Sequence, residues 1–208
     1  MSDYDRWAPG YDRRWRHYTD VTLDRLLDHL DLRQYRDTLD VGCGTGPLLL
    51  RLLKRRPDLH ATGIDPSAGM LAIARAKLAG YSVDLQQGGA DSLPLPTHSV
   101  DLVTMANMLH YVARPSLACV EARRVLRPCG VLAVVDYVPR GCLGSVADGL
   151  IRLYDHGHVR THNLPELCAI LAYAGFHMTY AERFPIDHFC DGVLALGMPT
   201  VEKQASTL

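Results

Sequence analysis

The sequence predicts an α/β fold: a doubly wound, mostly parallel sheet of seven strands, with an antiparallel edge strand and helices on both faces. Two observations lead to this prediction. Between residues 38 and 138, short apolar runs alternate with helical patterns, and this alternation is typical of parallel strands joined by helical crossovers. After residue 164, one helical pattern is followed by two strand patterns, which could pair antiparallel at one edge of the sheet.

Each element follows from a local pattern. Leucines recur at helical spacing from Val21 to Leu32, Pro47 suits the first turn before Leu48–Lys54, and Ser67 suits the N-cap of a helix that reaches Leu78. Further helices are expected at Asn107–Val112, Ser116–Leu126 and Leu164–Ala174. The predicted strands are Thr38–Val41, His60–Ile64, Val83–Gln86, Val100–Met105, Val131–Val138, Met178–Arg183 and Val193–Gly197. A ligand should bind outside the carboxyl ends of the parallel strands, where the strand order reverses.

Composition and charge exclude several classes of protein. The 208 residues suit a single domain, and 48% hydrophobic with 22% charged residues is ordinary for a globular chain. A net charge of −1 argues against a nucleic-acid-binding protein that neutralises many phosphates. Uncharged stretches are too short for a transmembrane segment, and the charged N-terminus argues against a secretory signal. We therefore expect a cytoplasmic protein whose six cysteines are reduced and mostly buried.

A glycine cluster, Asp40-Val41-Gly42-Cys43-Gly44-Thr45-Gly46-Pro47, follows the first predicted strand. Glycines at this point let the backbone approach a nucleotide-like ligand without a side chain in the way. The cluster departs from the dinucleotide-binding pattern, because Pro47 stands where that pattern has a third small residue. The Asp40 carboxylate would also repel a pyrophosphate but attract a cationic ligand. A nicotinamide-dependent oxidoreductase is therefore only an alternative interpretation of this cluster.

Further motifs follow in a fixed order: Gly63-Ile64-Asp65-Pro66-Ser67, Gly89-Ala90-Asp91, Ser99-Val100-Asp101-Leu102-Val103 and Leu126-Arg127-Pro128-Cys129-Gly130. With them the sequence resembles the class I S-adenosylmethionine-dependent methyltransferases, which have a Rossmann-like fold. It is similar to the small-molecule group that includes the ubiquinone/menaquinone-biosynthesis methyltransferases (methyltransferase type 11 domain), over about Tyr4 to Val138. Cys129 departs from this pattern, since the family usually has glycine there.

The resemblance implies one methyltransferase domain over residues 1–208. Within it we expect an N-terminal lid at 1–20, a cofactor-binding core at 38–138 and a helical insertion at 141–162 over the acceptor site. The implied cofactor is S-adenosylmethionine, and the implied product is S-adenosylhomocysteine. The residues expected to bind the cofactor lie at or just after predicted strands, or in the lid: Asp40, Gly42, Gly44, Asp65, Pro66, Met70, Ala90, Asp91, Ala106, Tyr4 and Tyr11.

Within this set the resemblance implies distinct roles. Asp65 would accept hydrogen bonds from the ribose hydroxyls, Asp91 would hold the adenine amino group, and the Ala106 carbonyl would face the cofactor's ammonium group. Tyr4 and Tyr11 would close over the site. Plainer interpretations stay open, because Asp65 could simply cap the next helix, Asp91 could be an ordinary loop residue, and the aromatic residues of the lid could simply pack a helix.

Methyl transfer to a hydroxyl or an activated carbon also needs a base. His110 follows the fourth strand, where the acceptor is expected, and histidine titrates near neutral pH. It is therefore our first candidate, followed by Tyr11 and His158, although His110 could instead fill space under the sheet edge. The acceptor is expected to be a small molecule, apolar or lipid-like by resemblance alone. Carbon, nitrogen, oxygen and sulfur acceptors stay open, and the oligomeric state is not indicated.

Two other clusters have more than one interpretation. His156, His158 and His162 could bind a metal, contact the substrate or lie in a solvated loop, and the usual ligand spacing of a metal site is missing. We therefore predict no metal site. Arg13, Arg14 and Arg16 could form a solvated helix face or bind an anionic substrate or lipid headgroup. The alternative function is a catalytically silent protein that binds S-adenosylmethionine for stability or regulation.

Overall fold

The computed structural model describes residues 8–154 and 157–200, so Tyr4 and His156 lie outside the described residues. The helices are α1 (Tyr11–Arg14), α2 (Arg16–Asp28), α3 (Pro47–Arg55), α4 (Ala68–Lys77), α5 (Pro115–Val125), α6 (Gly141–Tyr154) and α7 (Leu164–Tyr173). The strands are β1 (Asp37–Val41), β2 (His60–Asp65), β3 (Val83–Gln87), β4 (Val100–Ala106), β5 (Leu126–Pro139), β6 (Phe176–Pro185) and β7 (Cys190–Pro199). In the described ranges, no helix is long and apolar enough to cross a membrane.

The strands form one sheet in the order β3-β2-β1-β4-β5-β7-β6. The first five strands pair with one another in parallel, whereas β7 runs antiparallel to both β5 and β6. The predicted Rossmann-like, mostly parallel sheet with an antiparallel strand near one edge is therefore confirmed. Its strand order reverses between β1 and β4, so the ligand crevice is expected beyond the carboxyl ends of these two strands.

Both faces of the sheet are covered, because its central strands are apolar on both sides. In β4, Val103 and Met105 belong to one buried cluster, while Leu102 belongs to the cluster on the opposite face. In β5, Val134 and Val135 divide between the two clusters in the same way. These strands therefore form continuous apolar runs in the sequence, and they hold the loops at their carboxyl ends in fixed positions.

Local signals at the helix ends are confirmed. Pro47 occupies the first turn of α3, and Ser67 caps α4 by accepting a hydrogen bond from the Met70 backbone N–H at 3.1 Å. Helix α7 begins with a capping box in which Asn163 and Glu166 satisfy each other's backbone N–H. These caps set where each helix starts and therefore where the preceding loop ends.

The segment after β4 differs from the prediction of a helix at Asn107–Val112. Asn107 has φ +56°, and its N–H donates to the Val135 carbonyl at 2.8 Å. The sheet pairing therefore continues to Asn107, and the chain then turns sharply into a single 3₁₀ turn, Leu109–Tyr111. A left-handed residue cannot lie inside an α-helix, so the predicted helix is wrong here.

The cysteines also differ in part from the prediction. All are free thiols. The expectation that most are buried is wrong, because only two of the six are buried: Cys43 and Cys119 are buried, Cys168 and Cys190 are half-buried, and Cys129 and Cys142 are exposed.

Candidate active site

The glycine cluster forms a tight turn after β1. Gly42, Gly44 and Gly46 all have positive φ, at +69°, +53° and +78°. The backbone N–H of Gly42 donates to the Ile64 carbonyl at 2.7 Å, so the turn is held against the end of β2. A Cβ atom on Gly42 would lie 2.7 Å from the Cβ of Met108, whereas one on Gly44 would have no neighbour within 4 Å. Gly42 therefore allows the close approach of the loop after β4, and Gly44 faces open space.

Asp65 ends β2 beside this turn. Its carboxylate accepts one hydrogen bond from the Gly44 N–H and one from the Ser67 N–H, both at 2.8 Å. The residue is 8% exposed and lines a cavity at the strand ends. Because the N-cap of α4 is Ser67, Asp65 is not simply a helix cap. A carboxylate with one backbone donor on each oxygen still has lone pairs for ligand hydroxyl groups.

This cavity, of about 350 Å³, lies beyond the carboxyl ends of β1, β2, β3 and β4. It brings together eight of the residues that the sequence predicted for cofactor binding: Tyr11, Gly42, Gly44, Asp65, Pro66, Met70, Ala90 and Asp91. The cradle suits a nucleoside with a polar tail, because glycine backbone, a fixed carboxylate and the buried Met70 side chain line its walls. The residues present therefore fit the predicted cofactor.

Two predicted residues do not line this cavity, and a third, Tyr4, lies outside the described residues. Asp40 is buried beneath the glycine turn, where its carboxylate accepts from the Thr104 hydroxyl at 2.7 Å, and burial raises its pKa to about 7. Ala106 is the last residue of β4 and directly precedes Asn107, which does line the cavity.

The loop after β4 adds wall residues that the sequence reasoning missed. Arg114 forms an ion pair with Asp91 at 2.9 Å on the rim of the cavity, so one oxygen of that carboxylate is already engaged. The Asn107 amide donates to the Thr22 hydroxyl of α2 at 2.8 Å, while its buried Oδ1 has no partner among the described residues. The left-handed turn that places Asn107 there gives no clear pattern in the sequence.

A second cavity, of about 330 Å³, adjoins the first. Tyr11 and Tyr111 line both cavities, so these two side chains stand at their junction. Helix α6 contributes Gly144 and Asp148 to the second cavity. Its walls are largely aromatic: Tyr11, Trp15, Tyr18, His110, Tyr111, Tyr137 and Phe189. A largely apolar cavity of this size suits a small apolar ligand.

His110, which lines the second cavity, forms a buried pair with Asp136. His110 Nδ1 lies 2.6 Å from Asp136 Oδ1, and the same carboxylate accepts from the backbone N–H groups of His110 at 3.0 Å and Tyr137 at 2.8 Å. A carboxylate at this distance assigns the imidazole proton to Nδ1. Nε2 then carries a lone pair and has no hydrogen-bond partner among the described residues. His110 can therefore accept a proton from a ligand.

A second polar cluster lies behind this pair. The Tyr137 hydroxyl donates to Asp148 Oδ1 at 2.9 Å and lies 2.7 Å from His158 Nε2. The backbone N–H groups of Val159 and Arg160 both donate to the His110 carbonyl, at 2.9 and 3.1 Å. His158 is thus buried beside His110 and does not line either cavity. These bonds attach the segment after α6 to the loop that carries His110.

His162, the remaining histidine between α6 and α7, does not belong to this polar cluster. His162 lines a shallow surface groove together with Val159, Arg160 and Glu166, and burial lowers its pKa. Within residues 8–154 and 157–200, no group of three or more histidine, cysteine or carboxylate side chains is arranged to hold a metal ion.

Asp136 was also missed from the sequence. It interrupts the apolar run of β5 as Val134-Val135-Asp136-Tyr137, and a carboxylate near the carboxyl end of a buried parallel strand is a signal that could have found it. Its pairing with His110 depends on the register of β4 and β5, in which Ala106 lies opposite Val135. That register cannot be read from either strand alone.

Comparison with known proteins agrees with this geometry. Residues 39–134 match the methyltransferase domain family model. The chain is 35% identical over 142 residues to demethylmenaquinone methyltransferase of Thermus thermophilus, covering 66% of this chain and 61% of that protein. It is 33% identical over 137 residues to the ubiquinone/menaquinone biosynthesis C-methyltransferase UbiE of Dinoroseobacter shibae, covering 64% of this chain and 52% of that protein. The chain thus spans about half to three fifths of the length of these curated relatives.

The fold itself is shared more widely. A chain from the complex between the Haloferax volcanii Trm112 methyltransferase activator and a methyltransferase superposes with a TM-score of 0.81 at 20% identity, covering 97% of this chain and 99% of that one. This likeness shows the fold, and the match of residues 39–134 to the methyltransferase domain model relates this part of the chain to the class I S-adenosylmethionine-dependent methyltransferases. The cofactor of this class is S-adenosylmethionine, as the sequence predicted.

Proposed function

We propose that the chain transfers a methyl group from S-adenosylmethionine to a small acceptor in the second cavity and releases S-adenosylhomocysteine. The observation that carries this proposal is the junction of two cavities at Tyr11 and Tyr111. One is built on the glycine turn and the Asp65 carboxylate, and the other is largely aromatic and lined by His110, whose imidazole is paired with the buried Asp136. S-adenosylmethionine supplies a methyl group already activated by the positive sulfonium. The protein's own task is therefore to position the cofactor and the acceptor, to enclose them and to take a proton from the acceptor.

The first cavity would hold the cofactor. Asp65 would accept hydrogen bonds from the ribose hydroxyls, because its carboxylate is fixed by Gly44 and Ser67 and the residue lines the cavity. Ala90 and Asp91 would face the adenine ring, and Gly42 and Gly44 would lie along the methionine part. The Ala106 carbonyl would accept from the ammonium group, and Asp40 would order the turn from below through Thr104.

The second cavity would hold the acceptor. Residues of α1, α2 and α6 all line it, which supports a lid within residues 1–20 and an insertion at 141–162 as the parts that shape the acceptor site. Its aromatic walls favour an apolar acceptor. Tyr11 stands between the cavities, where it would close over the cofactor and contact the acceptor; Tyr4 of the same lid lies outside the described residues.

His110 is the proposed base. Asp136 holds the imidazole with its proton on Nδ1 and stabilises the imidazolium that forms when Nε2 takes a second proton. Tyr11 lies at the same junction and is the second candidate for a catalytic group. His158 is a poorer candidate, because its Nε2 lies within hydrogen-bond distance of the Tyr137 hydroxyl and the residue does not line the cavity.

Calorimetric titration tests the cofactor assignment. We expect S-adenosylmethionine and S-adenosylhomocysteine to bind and NADH not to bind. Asp65→Asn should weaken binding at least tenfold, because charged hydrogen bonds to the ribose are lost. Asp84→Asn is the matched control, since Asp84 is an exposed carboxylate on β3 outside both cavities. Equal affinity in the two variants would contradict the assignment, and NADH binding would favour an oxidoreductase.

Turnover is tested separately. Radiolabelled methyl transfer from S-adenosylmethionine is measured across a panel of apolar phenols, amines, thiols and carbon acids. Transfer to at least one acceptor, lost in His110→Gln with cofactor affinity unchanged, is the expected result. Tight cofactor binding with no transfer to any acceptor would instead favour a catalytically silent protein.

A further inference from the structure

A cluster of three polar side chains joins helix α1 to the glycine turn. The Asp12 carboxylate accepts hydrogen bonds from the Thr45 hydroxyl at 2.5 Å and from the Lys77 ammonium group at 2.6 Å, one on each oxygen. Lys77 also donates to the Thr45 hydroxyl oxygen at 3.0 Å. The three side chains therefore close a ring of hydrogen bonds in which every bond involves a charged group, and such bonds are stronger than neutral ones.

The ring connects three parts of the molecule. Asp12 lies on α1, Thr45 follows Gly44 in the glycine turn, and Lys77 is the last residue of α4. Thr45 is fully buried, so its side chain is held by its surroundings. The neighbouring Gly44 N–H donates to Asp65. The ring is therefore attached to the same turn that forms the wall of the first cavity.

Helix α1 has no buried residue of its own. It consists of only four residues, Tyr11–Arg14, and a helix of this length is not stable by itself in water. Ala8, shortly before it, is buried but small. Helix α2, in contrast, is fixed to the core by buried leucines such as Leu23 and Leu26. The ring at Asp12 therefore contributes directly to holding α1 against the body of the domain.

Tyr11, the residue before Asp12, lines both cavities, whereas Asp12 lines neither. We infer that Asp12 is a latch: its ring of hydrogen bonds holds α1, with Tyr11, closed over the cofactor cavity. Opening of the ring then sets the rate at which S-adenosylhomocysteine leaves. This inference rests on the proposed function, because it takes the first cavity as the cofactor site. Asp12 is a positioning residue, since it acts on the cofactor through Tyr11.

The exposure of the ring suits a latch that opens in every catalytic cycle. The Asp12 side chain is 50% exposed and that of Lys77 is 21% exposed. Water therefore competes for both charged groups, and dissolved salt screens their attraction. Breaking this pair leaves no buried charge without a partner, unlike the breaking of an ion pair in the core. Loss of the ring should therefore change the kinetics of ligand binding and leave the fold intact.

Stopped-flow fluorescence with S-adenosylhomocysteine tests this inference. The chain has two tryptophans, Trp7 and Trp15, and both are close to Asp12 in the sequence, so their emission reports on this segment. The dependence of the observed rate on ligand concentration gives the association and dissociation rate constants. We expect Asp12→Asn to raise the dissociation rate constant about tenfold, the effect of one lost charged hydrogen bond, without lowering the association rate constant. Asp24→Asn is the matched control, since Asp24 is an exposed carboxylate of α2 that pairs with Arg51 at 3.5 Å and lines neither cavity.

A double-mutant cycle distinguishes a latch from a general loosening of the fold. Lys77→Met removes the charge of the other partner and should raise the dissociation rate constant in the same way. The double variant should release the ligand no faster than either single variant, because one change alone opens the ring. The wild-type dissociation rate constant should also rise with salt concentration, whereas that of Asp12→Asn should not, since the screened pair is already absent.

Several results would overturn the inference. These are an unchanged dissociation rate constant in Asp12→Asn, effects of the two substitutions that multiply in the double variant, and a large fall in the melting temperature of ligand-free Asp12→Asn, which would show that the ring supports the fold instead. Binding of S-adenosylhomocysteine with no change in tryptophan fluorescence would also overturn it, because α1 would then not respond to the ligand. Absence of S-adenosylhomocysteine binding to the wild type would instead contradict the proposed function itself.

Discussion

His110 Nδ1 lies 2.6 Å from Asp136 Oδ1, and both residues are almost fully buried, with His110 lining an aromatic cavity. The carboxylate also accepts two backbone N–H groups, so its position does not depend on the imidazole alone. In the proposed mechanism Asp136 is therefore a positioning residue, which would act on the acceptor through His110.

Asp136→Asn therefore tests the pair. The asparagine amide can still hydrogen-bond to His110. However, its NH2 group can donate to Nδ1, and the neutral amide no longer stabilises an imidazolium. We expect methyl transfer to fall by about 10²-fold or more, with the affinity for S-adenosylhomocysteine unchanged. The pH profile of the rate is the decisive readout, because a merely structural role would lower the rate equally at all pH values. An unaltered profile would remove Asp136 from the mechanism.

Asp40→Asn should change how stability depends on pH. The folded protein holds the Asp40 pKa at about 7, above the usual 3.8, because the carboxyl group is buried. The folded state thus binds a proton between about pH 4 and 7 that the unfolded state has released, so the wild type loses stability as pH rises through this range. Each pKa unit corresponds to about 1.4 kcal/mol.

The asparagine variant lacks that loss. Its free energy of unfolding should exceed that of the wild type most clearly above pH 7, with the difference shrinking toward pH 4. Urea denaturation of wild type and variant at pH 4.5 and pH 8 measures how much the free energy of unfolding of each changes with pH. Parallel curves for wild type and variant would show that Asp40 titrates normally in the folded protein.

Gly42→Ala should destabilise the glycine turn. A Cβ atom there would lie 2.7 Å from Met108, and the residue has φ +69°. We expect a loss of about 1–3 kcal/mol in the free energy of unfolding together with weaker binding of S-adenosylhomocysteine. Gly80→Ala is the control, because a Cβ atom on Gly80 would have no neighbour within 4 Å and the residue lies outside both cavities. Equal stability of the two variants would show that the turn can relax.

Asn107 gives a test of backbone conformation. Because it has φ +56°, glycine at this position should be tolerated better than alanine, the reverse of the usual order. Both substitutions lose the hydrogen bond to Thr22 equally. We therefore expect Asn107→Gly to be more stable than Asn107→Ala by about 1 kcal/mol. Chemical denaturation of the two variants measures this, and the opposite order would place Asn107 in an ordinary conformation.

The sequence predicts those parts of this molecule that depend only on residues close together in the chain. The glycine turn, the Ser67 cap and the carboxylate of Asp65 each follow from a few adjacent positions, because strand ends and helix starts have local chemical requirements. The fold class follows from the same periodic patterns.

The rest depends on which strands become neighbours. His110 and Asp136 are 26 residues apart and meet only because β4 pairs with β5. The turn at Asn107 replaces the predicted helix for the same reason, since its N–H bonds to Val135 of β5. The position of Asp12 beside the glycine turn is likewise a property of packing, and no pattern of residue types in the sequence indicates it.

The antiparallel strand β7 has a consequence for how the molecule is assembled. It pairs along β5 from Leu132 to Pro139, yet it is the last strand in the described chain. Until residues 190–199 have been synthesised, one edge of β5 has no partner strand, and that is the strand that carries Asp136. A nascent chain stopped before β7 would therefore present an unpaired apolar strand open to aggregation.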